Sequence, residues 1–91
     1  MEWDILLLPE AFADLGPVPE EEQHEIHHAI VRLQTDLASG ALQPTRPLAR
    51  PPLNVGQWRV HHRLDVVQST ILIDRVLPAG ARTRRRSGWQ R

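Results

Sequence analysis

Arg59, His61 and Arg63 recur at every second position of a stretch whose intervening residues are Trp58, Val60, His62 and Leu64. At the two-residue period of a β-strand, the first three share one face and the other four share the opposite one. The set containing Trp58, Val60 and Leu64 reads as the core side, with His62 as a core histidine sharing a hydrogen bond. Cationic side chains standing side by side on the remaining face repel one another unless an anion sits among them. A guanidinium suits such an anion: its planar fork holds two phosphate oxygens and stays charged at any physiological pH. An imidazole between two arginines adds a group able to give or take a proton near neutral pH. The plain alternative for His61 is an exposed strand residue with no role.

A second group has the spacing of a metal site. His24-Glu25-Ile26-His27-His28 is a literal H-E-x-x-H, the helical signature of zinc proteases. Its context argues otherwise, because Ile26, Ile30, Leu33 and Leu37 define the buried stripe of the same helix. At about 100° per residue, His24 and His28 then fall nearly opposite that stripe, in solvent. A catalytic zinc needs a third protein ligand and a cleft, for which the sequence offers no source. Adventitious zinc or nickel binding by the exposed pair is the reading that survives, and no resident metal or cofactor is expected. The third chemical feature is the run Arg82-Thr83-Arg84-Arg85-Arg86 near the C-terminus. It reads either as a phosphate-binding tail of little sequence selectivity or as a solubilising end.

These residues lie in a polarised molecule. The first 45 residues carry one arginine against nine acids, a net charge of −8, and the remainder carry ten arginines against two acids, +8. The formal total is zero, which hides a basic half suited to a polyanion or an acidic partner. Two solvated faces that partly neutralise each other are the plain alternative. With 91 residues the chain is expected to form a single domain, 1–91, whose segment 82–91 is a basic and flexible tail. An apolar fraction of 41% with 24% charged residues marks a folding chain. The absence of cysteine excludes disulfides and thiolate metal sites. The longest apolar run, Ile5 to Leu8, is too short for a membrane span, and no signal-peptide pattern precedes it, so a cytoplasmic protein without a membrane partner is expected.

The elements that would position the basic face can be read in order. A short strand over 3–8 leads into Pro9, whose fixed φ suits the first turn of a short helix ending at Gly16. Pro19 opens a longer helix with Glu20, Glu21 and Glu22 in its first turn, where the macrodipole favours acids, and Ser39-Gly40 closes it. Residues 41–52 are a proline-rich loop. Strands follow over 53–55, 58–67 and 70–77, with turns at Gly56-Gln57 and Gln68-Ser69. The order β-α-α-β-β-β predicts an α+β domain in which a helical pair packs on one face of an antiparallel sheet. The other face is then the functional candidate.

Several of these residues together resemble a known family. Pro9-Glu10-Ala11 with Asp14-Leu15, then Pro19 opening a helix with Ile26, Ala29, Ile30 and Leu33, then Val55-Gly56, Trp58-Arg59-Val60, Arg63-Leu64-Asp65 and Arg75-Val76, look like the RelE/ParE toxin superfamily. The resemblance covers most of the chain from Trp3 to Val76, with the RelE-like branch favoured. It implies the toxin of a type II toxin–antitoxin pair, bound by a cognate antitoxin over its basic face. In the RelE branch the implied activity is cleavage of mRNA on the ribosome; in the ParE branch it is non-catalytic inhibition of DNA gyrase. A degenerate member kept for antitoxin binding is a third reading. The resemblance assigns Arg59 to phosphate stabilisation, with Arg63 on the same face and Arg82 assisting from the tail. His61 is the candidate for proton transfer. The chain departs from the family pattern in three places: Asn54 stands where an arginine is common, Leu77-Pro78-Ala79 replaces a glycine, basic residue and arginine, and Trp89 takes the place of a tyrosine.

Overall fold

A computed structural model of the chain describes residues 2–42 and 51–80. The basic tail with Arg82 and Trp89, and residues 43–50 of the proline-rich connection, lie outside the described residues. Proline and glycine set the helix boundaries. Helix α1, Pro9–Leu15, begins with proline where no amide hydrogen is needed, and helix α2, Glu20–Ser39, begins just after Pro19. Gly40 ends α2 at φ 86°, a left-handed conformation that a side chain would resist, and its N–H donates to the Leu37 carbonyl. Between the helices, the Gln23 amide donates to the carbonyls of Leu15 and Val18 at 2.8 and 2.9 Å, fixing the turn.

The stripe Ile26, Ile30, Leu33 and Leu37 is buried as its spacing predicts. It meets Val60, Ile71, Ile73 and Val76 from the sheet, with Trp3, Ala11 and Val18 closing the core. Ile26, Ile71, Ile73 and Val60 are the largest side chains removed completely from water, each favouring the fold by about 1.5–3 kcal/mol over exposure.

The sheet contains β1, Asp4–Leu7; β2, Leu53–Val55; β3, Trp58–Asp65; and β4, Thr70–Pro78. Their spatial order is β1-β4-β3-β2. The last three strands form the expected antiparallel meander. The expectation of a wholly antiparallel sheet is corrected at one edge, where β1 lies parallel to β4 with Ile5 beside Ile71 and Leu7 beside Ile73. The helical pair carries the chain across the sheet between β1 and the meander, and such a crossover permits parallel entry. Backbone bonds from Asp4 N–H to Ser69 O and from Leu8 N–H to Ile73 O extend that edge.

The β3–β4 hairpin differs from its sequence reading. Strand β3 stops at Asp65, and Val66 and Val67, expected to continue it, belong to a four-residue turn that leaves Val67 93% exposed. The Asp65 carboxylate accepts the Gln68 N–H, and Ser69 takes φ 51°. A local carboxylate bond therefore fixes the turn against the β propensity of two valines. Further along, β4 contains one extra residue. His61 faces Arg75 and His62 faces Ile73, so Asp74 is left as the bulge. Among the described residues, no helix is long and apolar enough to cross a membrane.

Candidate functional site

The alternation in β3 holds as predicted. Val60 is fully buried and His62 is 4% exposed, while Arg59 and His61 are half-buried on the outer face and Arg63 is exposed there. His62 Nδ1 lies 3.4 Å from the Val60 carbonyl, placing it in the core as expected. Strand β3 is anchored at its start by the Trp58 indole, which donates to Glu22 in the first turn of α2 at 2.6 Å. That bond joins the acidic helix start to the strand carrying the arginines.

Each arginine on β3 and β4 meets a different environment. Arg75 is bidentate to Asp14 of α1, Nε to Oδ2 at 2.8 Å and Nη2 to Oδ1 at 3.1 Å. Asp14 Oδ2 also accepts the Val76 N–H at 2.9 Å, beyond the point where β1 stops supplying a strand partner. The Arg75 guanidinium beside Asp14 holds its carboxyl below the usual carboxylate range, aided by Val76 N–H and opposed by burial. Arg63 is likewise bidentate to Asp74, with contacts of 2.8 to 3.1 Å. That carboxylate strengthens the hold of Arg63 on its proton.

Arg59 differs. It pairs across the sheet with Asn54 on one side and Leu77 on the other, neither of which supplies charge. Its Nε is buried and has no hydrogen-bond partner among the described residues. A desolvated guanidinium nitrogen left unpaired costs free energy until an acceptor reaches it.

No family model and no curated protein matches this sequence. Solved structures do. The chain superposes on one from the archaeal RelE–RelB complex of Pyrococcus horikoshii with a TM-score of 0.69 at 16% identity, covering 89% of this chain and 99% of the other. A chain of the RelBE2 toxin–antitoxin complex of Mycobacterium tuberculosis matches with a TM-score of 0.56 at 25% identity, covering 86% and 99%. The chain has the fold of the RelE toxins.

On this RelE-like sheet the structure brings three of the four sequence-predicted site residues onto one face: Arg59, His61 and Arg63. Arg82 lies outside the described residues. Chemically, guanidinium groups can hold phosphate oxygens and an imidazole can transfer a proton; here the half-buried His61 stands between Arg59 and an Arg63 already engaged by Asp74. Asp14 and Asp74 were not singled out by the chemistry of the sequence. The signal for Asp74 was compositional, since it is one of only two acids after residue 45. Asp14 stood inside the family pattern, but its partners lie 61 and 62 residues away.

The H-E-x-x-H histidines fall where their helical phase puts them. His24 and His28 are exposed on α2 and line a shallow groove of about 340 Å³ with Arg32 and Asn54. Among the described residues no group of three or more histidine, cysteine or acidic side chains is arranged to hold a metal ion.

Proposed function

We propose that this chain is the toxin of a type II toxin–antitoxin pair and a cytoplasmic, ribosome-dependent mRNA endoribonuclease. The RelE fold supports the toxin class, and the observation that carries the nuclease reading is the buried Nε of Arg59, which has no hydrogen-bond partner among the described residues while Arg63 and Arg75 are each paired with a carboxylate. In the proposed reaction the ribose 2′-oxygen attacks the adjacent phosphorus and the bond to the 5′-oxygen breaks. The 2′-proton passes to a base, a proton is returned to the leaving oxygen, and a cyclic phosphate remains. Arg59 stabilises the charge that builds on the phosphorane, Arg63 holds a flanking phosphate, and His61 is the proton-transfer candidate. Arg82 is proposed to assist from the tail. The role of the solved neighbours' partners extends here to a cognate antitoxin that covers the basic face.

The second reading is binding to DNA gyrase without chemistry. It is favoured by the neutralisation of Arg63 and Arg75 by carboxylates and by Asn54 beside Arg59, which leave Arg59 as the one arginine of β3 and β4 without a carboxylate partner among the described residues.

Induction of the chain in cells followed by mapping of mRNA 5′ ends separates the two. New ends at ribosome-occupied codons, lost with Arg59→Ala, are expected. Intact mRNA together with stalled gyrase and a DNA-damage response would sink the nuclease and support the second reading.

A further inference from the structure

Asp74 is an anion on the face proposed to receive a polyanion. The bulge puts it there. Ile73 and Val76 are both buried, so strict alternation has room for only one outward residue between two inward ones, and the extra residue allows Asp74 and Arg75 both to lie outside the core. From that position Asp74 offers both carboxylate oxygens to Arg63: Oδ1 and Oδ2 accept from Nε at 3.1 and 3.0 Å, and Oδ1 accepts from Nη2 at 2.8 Å. This is the fork geometry in which a guanidinium takes two phosphate oxygens. The two side chains are 57% and 27% exposed, so solvent and ligands reach the pair, and an ion pair in such a setting is weakly held. Asp14 and Arg75 form the contrasting pair: its carboxylate is only 16% exposed and also bonds the backbone N–H of Val76, which makes it part of the fold.

We propose that Asp74 occupies the anion seat of Arg63 in the free toxin, and that RNA binds there by exchanging a phosphodiester for the Asp74 carboxylate. The inference rests on the proposed RNA-binding role of the outer face and adds a selectivity device to it. An isolated phosphate gains too little from Arg63 to displace a carboxylate already tethered beside it. A strand anchored at Arg59 presents its next phosphates at high local concentration, and the exchange becomes favourable. Asp74 thereby sets a threshold that polynucleotides pass and small anions do not. Arg63 stays extended across the β3–β4 ladder meanwhile, with little side-chain ordering left to occur on binding.

The test is binding of the full chain to a short single-stranded RNA oligonucleotide at fixed low salt, for wild type, Asp74→Asn, Arg63→Gln and the double variant. Asp74→Asn is expected to tighten binding by about three- to fivefold, the range set by a partly exposed ion pair. In the Arg63→Gln background the same change should have almost no effect, because the seat is gone. Asp74→Ser provides a second removal of the charge, and thermal melting confirms that each variant folds. Equal tightening with and without Arg63 would overturn the proposal, since that is the action of a general field on a polyanion. Weaker or unchanged binding by Asp74→Asn would overturn it as well. Arg59→Ala separates this result from the underlying reading. If its RNA affinity is unchanged, the outer face is not the RNA site; if affinity falls while Asp74→Asn is silent, only the exchange is wrong.

Discussion

Arg59 and Arg63 carry the same side chain four residues apart on one strand, yet among the described residues only Arg63 has a carboxylate in its fork. The difference follows from what stands opposite each of them. Arg59 lies between Asn54 and Leu77, while Arg63 lies within reach of the bulged Asp74. A half-buried guanidinium whose Nε has no partner within the described chain depends on its planar shape as well as its charge. Arg59→Ala is therefore expected to lower the cleavage rate about 100-fold or more, the usual cost of removing one donor from a developing oxyanion. Arg59→Lys should recover much of the RNA affinity and little of the rate, because an ammonium replaces the charge but not the fork. Single-turnover cleavage of ribosome-bound mRNA, measured beside RNA binding for both variants, checks this. Equal recovery of rate and affinity by lysine would reduce Arg59 to a point charge.

Among the elements, α1 is short, buries Ala11 and exposes Phe12, so polar as well as apolar contacts attach it to the sheet. Asp14 supplies one of them by accepting from both the Arg75 side chain and the Val76 backbone. Its carboxyl ionises more readily in the folded chain than at its ordinary value of 3.8, so the unfolded chain holds the proton more tightly. The stabilisation is thus complete above that value and is lost as pH falls through the lower folded one. Asp14→Asn should lower the melting temperature by several degrees at neutral pH, with the difference from wild type shrinking as the pH drops below about 4. Melting curves across that range test the assignment, and a gap that persists in acid would mean that shape rather than charge does the holding. Legibility varied among these elements for physical reasons. The helices were readable because Pro9, Pro19 and Gly40 act locally and because one apolar stripe fixes the phase of α2. The face of β3 was readable because its alternation is unbroken. The parallel edge of β1, the Asp74 bulge and the Asp14 clamp were not, since each depends on partners far away in sequence. The Val66-Val67 turn misled because β-branched residues favour strands unless a neighbouring group, here Asp65, claims the backbone.

At the scale of the whole molecule, the charge asymmetry separates by layer. Glu20, Glu21 and Glu22 start α2 in the helical layer, with Glu22 bonded to Trp58, while Arg59 and Arg63 stand on the opposite face of the sheet. Two of the three arginines on β3 and β4 are already matched by carboxylates, so formal charge overstates the field that a polyanion meets. Salt dependence counts the contacts that remain. For single-stranded nucleic acid, each neutralised phosphate adds about 0.7 to the slope of log K against log salt. Loss of Arg59 should flatten that slope by about one such contact, and loss of Arg63 by the same amount if its carboxylate has given way to phosphate. The paired variant Glu20→Gln with Glu21→Gln removes two negative charges from the helical layer. It should raise affinity slightly at low salt through the long-range field, which salt screens, so the slope steepens by much less than the 0.7 or so of one bound phosphate. Titrations of RNA binding at several salt concentrations make the distinction. A slope steeper by a whole contact for the glutamine pair would place part of the RNA path along α2, and an unchanged slope for Arg59→Ala would remove the outer face of β3 from it.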